Sequence, residues 1–250
     1  MHFRQERVDV AVVETGLGGA LDATNVLREP LLTVVTSIGY DHQQHLGDTL
    51  ELIAGEKAGI LKAGAPFLCG EDDPAPLRVL AARSRKAGAR MRGAPAPLKR
   101  IREDWGRGTQ EAVTAGGTRL RVPLLGDAAL RNAALVVAAL EELNGRRLSF
   151  DMAAALAGIA DALWPARFQV LDLGGGRRVV LDGAHNEAAL SAFSQTWRRS
   201  PFSAQDPLVV IGVLADKDWE RLADLAAPLA ARFIATAPPS PRALDAERLA

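Results

Sequence analysis

Three short stretches place ionisable side chains where they could do chemistry. The first is Glu14-Thr15-Gly16-Leu17-Gly18-Gly19, directly after the β-branched run Val8–Val13. The second is Asp41-His42-Gln43-Gln44-His45, just past the run Leu32–Ser37, which puts two of the four histidines within four residues. A carboxylate and an imidazole on neighbouring strand ends could share a divalent cation, with phosphate oxygens completing its shell. The blander alternatives are a strand-end carboxylate capping nearby amides and a hydrogen-bonded loop histidine, and for His45 the bland reading is preferred. The third stretch is Asp182-Gly183-Ala184-His185-Asn186 before a helix at Glu187. It offers an acceptor for hydroxyls and donors for a phosphate or carboxylate, or simply a helix cap at Asn186. A further strand end, Ile211–Asp218, adds Asp216, Lys217 and Asp218. Lys57, one of only five lysines beside 25 arginines, lies in an apolar helical setting. A partly desolvated amine there can be modified or held near an anion, or it can snorkel to solvent. The Gly16–Gly19 string is not followed by a helix and lacks the G-x-G-x-x-G spacing, so a dinucleotide fingerprint is not supported.

These groups need strands that end on one edge and helices that cover them. Strands are expected at Val8–Val13, Leu32–Ser37, Pro66–Cys69, Arg178–Asp182, Leu208–Gly212 and Phe233–Thr236. Three-to-four apolar spacing predicts helices over Thr49–Leu61, Pro76–Ala87, Ala128–Leu143, Met152–Leu163, Glu187–Arg198 and Trp219–Leu229. The alternation is that of βαβ units around a largely parallel sheet. Residues 89–123 break it and suit a few antiparallel strands at the sheet edge. Trp164-Pro165 marks a boundary before extended Phe168–Leu173, since the residue preceding proline avoids the helical region. Two unequal α/β units follow, with polar strand ends that suggest a cleft between them.

Composition narrows the function classes. Thirty basic and thirty acidic residues cancel over 250 positions, so neither nucleic acid nor an anionic membrane is expected as the main partner. Any anion must be gripped locally. The single cysteine, Cys69, leaves no internal disulfide and no cysteine-based zinc site, in keeping with a reducing cytoplasm. The start has no signal-peptide pattern, and no apolar run is long enough to span a bilayer. The run at Val8 begins seven residues after Met1 with no leading helix or cap, so the chain is expected to begin within its fold.

Taken in order, VETGLGGALDATNV, TSIGYDHQQHLGDTLELIAGEKAGILK, WPARFQV, DGAHN, GVLADKDW and APPSPRAL resemble the folylpolyglutamate synthase/dihydrofolate synthase family of the Mur ligase superfamily. The resemblance implies an α/β fold with two parts. Residues 1–164 would be a central ATPase domain built on a largely parallel sheet, without its N-terminal part, and residues 165–250 an incomplete, smaller Rossmann-like glutamate-ligase domain. It implies ATP-dependent joining of the amine of L-glutamate to a carboxylate of dihydropteroate or a folate through an acyl phosphate, by a cytoplasmic monomer using ATP and magnesium. Carried onto this sequence, Glu14 and His42 become magnesium ligands and Lys57 a carbamoylated lysine supporting a second metal. Leu21, Asp22 and Ala23 would lie against the pteroate. Asn132, Arg167 and Asp182 would hold ATP, and His185, Ser240 and Arg242 would face the nucleotide or the incoming glutamate. Two departures stand out: the family's Gly-Lys-Ser loop is absent, and Gly126 is followed by Asp127-Ala128 where the family carries His-Gln. A non-catalytic nucleotide- or folate-binding remnant and a Mur ligase acting on cell-wall peptides are the alternatives.

Overall fold

The computed structural model describes residues 2–145 and 148–250, and the chain separates into two compact units. The first comprises residues 1–38 and 42–94, the second residues 39–41 and 95–250.

In the first unit three parallel strands, β1 (Thr33–Val35), β2 (Pro66–Cys69) and β3 (Arg90–Arg92), lie in the order β1-β2-β3, with Val34 opposite Leu68 and Leu68 opposite Arg92. Central β2 is buried along its whole length, which is why Pro66-Phe67-Leu68-Cys69 reads as an unbroken apolar run. Helix α1 (Leu50–Lys57) and helix α2 (Pro74–Ala87) connect the strands. The Thr49 side chain caps α1 from Leu52 N. Asp73 caps α2 from Ala75 N, Pro74 opens it, and Gly88 closes it at φ 68°, a left-handed value that favours glycine. Val35, Ala54, Ala58, Leu61, Phe67, Cys69 and Leu80 form the core. Fully burying a side chain such as Phe67 contributes roughly 1.5–3 kcal/mol.

The expected strand Val8–Val13 is a correction. No described strand pairs with it, and Val8, Val10, Val12 and Val13 are exposed. β-branched residues form a strand only where a neighbouring edge takes their amides and a face takes their side chains, and neither occurs here.

The second unit begins with an antiparallel meander, β4 (Lys99–Asp104), β5 (Thr109–Val113) and β6 (Arg119–Val122), with a register shift between Arg100 and Arg102. It forms a sheet of its own and does not extend the parallel one. Helix α3 (Asp127–Leu143) packs on it through Ala129, Leu130, Ala133, Ala134 and Val137 against Leu98, Ala112, Leu120 and Val122. Helix α4 (Met152–Ala157) passes into a 3-10 turn ending at Asp161, two residues earlier than expected. The antiparallel hairpin β7 (Gln169–Asp172) and β8 (Arg178–Leu181) follows, then helix α5 (Glu187–Arg199). Helix α6 (Trp219–Ala226) connects the parallel pair β9 (Leu208–Ile211) and β10 (Arg232–Ala235). Leu125, Phe168, Leu190, Trp197, Phe202 and Leu222 anchor their core. Trp105 from the β4–β5 turn meets Phe168 and Phe202 edge-on, 5.9 and 6.3 Å between ring centroids. The meander keeps a core of its own, and Trp105 packs from its turn against the core of the residues that follow.

Candidate functional site

In the first unit the Glu14–Ala23 segment is shaped by its glycines. Ala20 N donates to Glu56 O at 3.1 Å, so the turn lies flat on the C-terminal end of α1. A Cβ on Gly19 would come within 2.7 Å of Glu56 O and 2.8 Å of Lys57 O, and one on Gly59 within 2.3 Å of the Ala20 Cα. The glycines therefore serve backbone contact with the helix that carries Lys57. Asp22 organises the rest of the turn. Its carboxylate accepts from the Thr24 hydroxyl at 2.6 Å, from Thr24 N at 2.9 Å, and from Gly16 N and Leu17 N at 3.0 Å each. The Thr24 hydroxyl, with these amides, lowers its pKa to about 2. Leu21, on the same turn, is 96% exposed, and Ala23 and Glu14 are exposed as well.

His42 adopts φ 51°, uncommon for a residue with a Cβ, and heads the single turn Gln43–Leu46 with its side chain exposed. Lys57 is the half-buried last residue of α1. Among the described residues no three His, Cys, Asp or Glu side chains converge into a metal cage. A carboxylate and an imidazole nevertheless fit a magnesium ion that draws its other ligands from phosphate and water.

In the second unit Arg167 stands between two left-handed residues, Ala166 at φ 55° and Phe168 at φ 44°. Such conformations cost on the order of 1–3 kcal/mol each and persist where surroundings over-determine them. Here they do. Ala166 N donates to Gln169 Oε1 at 3.0 Å, Gly183 N donates to Ala166 O at 2.9 Å, and Phe168 N donates to Asp182 Oδ2 at 2.8 Å. The Phe168 ring is buried among Trp105, Phe193 and Trp197. Asp182, at the carboxyl end of β8, also accepts from Ala184 N at 2.8 Å. Desolvation by neighbouring protein raises its carboxyl above the ordinary value although the residue is exposed at the surface, against the pull of both amides and of Arg167.

His185 Nδ1 donates to Gly183 O at 2.8 Å, which leaves Nε2 3.5 Å from Asp41 Oδ2. Asn186 caps α5 through Oδ1, accepting from Ala189 N at 2.9 Å, and its Nδ2 donates to Asp41 Oδ2 at 3.0 Å. Lys217 Nζ reaches Asp41 Oδ1 at 2.5 Å and is only 10% exposed. Beyond β10, Arg242 pairs with Asp216, holding that carboxyl below its usual range, and Arg242 N donates to Ser240 Oγ at 3.2 Å. Asn132 is exposed on α3. The start of that helix is fixed by Gly126, at φ 94°, where a Cβ would fall 2.3 Å from Thr196 Oγ1. The fully buried Gln110 amide donates to Leu124 O and Gly126 O on the same segment.

Comparison with known proteins bears on this arrangement. Residues 166–250 match the Mur ligase glutamate ligase domain. The folylpolyglutamate synthase of Lacticaseibacillus casei is 34% identical over 97% of this chain and 57% of its own length, and the dihydrofolate synthase/folylpolyglutamate synthase of Mycobacterium tuberculosis 35% over 99% and 53%. The M. tuberculosis folylpolyglutamate synthase structure complexed with ADP and AMPPCP superposes over 99% of this chain and 57% of its own, at TM-score 0.86 and 34% identity. E. coli FolC in complex with DHPP and ADP does so over 99% and 56%, at TM-score 0.81 and 31% identity. Nearly the whole chain is thus similar to folylpolyglutamate synthases and dihydrofolate synthases. It spans between half and three fifths of the length of these relatives.

Sequence reasoning missed Asp41, Asn186 and Lys217 as one cluster. Lys217 had a signal, a scarce lysine at a strand end, but nothing local revealed that its partner lies 176 positions away. Glu71 was also missed; its short Gly70-Glu71-Asp72-Asp73 string reads as a helix lead-in.

Proposed function

We propose that this chain belongs to an ATP-dependent ligase that joins L-glutamate to dihydropteroate or to a folate through an acyl phosphate. The observation that carries the reading is the junction of Arg167, Asp182 and His185, where the end of β8 leads into the N-terminus of α5. The nucleotide-bound relatives align with nearly the whole chain.

In this reading residues 1–164 belong to the central ATPase domain and residues 165–250 to the glutamate-ligase domain of a cytoplasmic monomer. Arg167 neutralises phosphate charge with a planar guanidinium set by its two rigid neighbours. Asp182 keeps lone pairs beyond its two amide bonds for a nucleotide hydroxyl, and Asn132 contributes an amide from α3. His185, its Nδ1 committed to Gly183 O and its Nε2 beside Asp41, faces the nucleotide or the incoming glutamate. Ser240 and Arg242 receive glutamate, and Leu21, Asp22 and Ala23 border the pteroate, Asp22 by shaping the turn. Glu14 and His42 would donate to magnesium, and Lys57, as a carbamate formed when its free amine adds carbon dioxide and loses a proton, to a second ion. Bound magnesium supplies neutralisation of the charge that builds on the transferring phosphoryl group. The amine of glutamate then displaces phosphate from the activated carbonyl.

The test is incorporation of labelled glutamate into dihydropteroate or tetrahydrofolate by the full-length gene product. Incorporation dependent on both ATP and magnesium, with one ADP per glutamate, is expected; ATP-independent binding without incorporation would overturn it. The second reading is a non-catalytic nucleotide- or folate-binding chain. The same assay separates the two.

A further inference from the structure

Glu71 is a buried acid for which none of the foregoing chemistry has a use. It follows β2 by two residues and is 5% exposed. Its Oε2 accepts from Ile38 N at 2.5 Å, and its Oε1 accepts from Asp72 N at 2.9 Å and Asp73 N at 2.7 Å. All three donors are main-chain amides, and they come from two places: the exit of β1 and the turn from β2 into α2. A carboxylate in this setting is costly unless its acceptors are filled, and an apolar side chain would serve if packing were the only need. What an apolar residue could not do is join two strand exits.

The ladder between the strands explains why a side chain is required. Gly70 N donates to Val35 O at 2.7 Å, one rung beyond the last paired residues. There the ladder stops, and Ile38, three residues further on, has no strand to pair with. Glu71 takes that amide instead. Four residues later comes His42 at φ 51°. On its far side His42 is held by its own carbonyl, which accepts from His45 N at 2.8 Å and Leu46 N at 3.0 Å. A side chain in the left-handed region persists only when both flanks are fixed. On the leading side Glu71 holds Ile38, and Asp41, the residue before His42, is held by Lys217 and Asn186.

We propose that Glu71 is a positioning residue for His42, its carboxylate anchoring the β1 exit so that the imidazole is presented in one orientation. The functional weight of this inference rests on His42 being a magnesium donor, as read above; the geometric claim does not. Outer groups that orient a ligand commonly shift metal affinity by roughly tenfold or more when removed.

The test uses the 250-residue chain with labelled histidine, manganese(II) as the metal probe, and the variants Glu71→Gln and Glu71→Asp. Glutamine keeps the shape but turns one acceptor oxygen into a donor facing an amide. In Glu71→Gln, hydrogen exchange at Ile38 should accelerate and the His42 Cα resonance should leave its left-handed position. The manganese concentration that half-broadens the His42 ring signal should rise roughly tenfold. The exposed His45 ring is the internal control and should not change, and Glu71→Asp should fall between. Faster exchange at Ile38 with an unchanged His42 Cα resonance and unchanged manganese response would overturn the proposal, leaving Glu71 a purely structural acid. Should Glu71→Gln fail to fold, the same two readouts on Glu71→Asp decide. If wild-type His42 responds to manganese no more than His45, the magnesium reading fails, and the Cα resonance alone decides the positioning claim.

Discussion

The ammonium of Lys217 lies 2.5 Å from the carboxylate of Asp41, and the lysine side chain is 10% exposed. Taking a cation this far out of water is tolerable because its partner also binds Asn186 at 3.0 Å. Within the second unit the pair ties Asp41 to the segments that follow β8 and β9.

Removing one member should leave the other stranded. Lys217→Met is expected to lower unfolding free energy by about 1–3 kcal/mol, because Asp41 keeps some solvent contact. The double variant Lys217→Met/Asp41→Asn should recover part of that loss. Urea titrations of the four proteins of the cycle measure it; strict additivity would contradict a direct interaction.

Gly126 offers a test of packing between α3 and α5. Gly126→Ala is expected to cost about 2–4 kcal/mol, since it adds a Cβ 2.3 Å from Thr196 Oγ1 at φ 94°. Adding Thr196→Ala should relieve the clash but not the dihedral strain, so thermal denaturation should show partial and not full recovery.

Two aspartates should respond to acid in opposite senses. Asp22 has a pKa lowered from 3.8 to about 2, so it contributes stability above pH 4 that is lost as pH falls from 4 toward 2. The difference between wild type and Asp22→Asn should shrink across that window. Asp182 is raised by desolvation, so its ionisation opposes folding, and its contribution is greatest below the ordinary carboxylate range and is lost as pH rises through its folded value. Asp182→Asn stability curves should therefore diverge from wild type in the opposite direction. Parallel profiles for both variants would refute the assignment.

Lys57→Ala should reduce glutamate incorporation far more than it reduces the melting temperature, as Lys57 is half-buried at a helix end. A short-chain carboxylate should restore part of the activity by standing in for the carbamate. Wild-type turnover in Lys57→Ala would remove the carbamoyl role.

Much of the scaffold was readable because its signals are local. Pro66–Cys69 is buried on both faces and so appears as a plain apolar run, and α2 carries its cap at Asp73, Pro74 at its start and Gly88 after its end. Val8–Val13 is also a mostly apolar run, rich in valine, and forms no strand, because strand pairing depends on a neighbour the run itself does not specify. Within the site, His42 and Arg167 were recognisable by motif, but their left-handed neighbourhoods were not, since side-chain identity at Ala166, Phe168 and His42 argues against positive φ. Asn186 is a helix cap through Oδ1, and its Nδ2 donates to Asp41. The Asp41–Lys217 pair and the Glu71–Ile38 bond join residues 176 and 33 positions apart, and only folding brings them together.

Acyl phosphate formation is tested most directly by oxygen transfer. With dihydropteroate labelled with oxygen-18 in its carboxylate, and ATP, magnesium and glutamate, the full-length protein should release inorganic phosphate carrying one labelled oxygen per glutamate joined. Phosphate free of label, with the displaced labelled oxygen found in AMP or in water, would contradict ligation through an acyl phosphate.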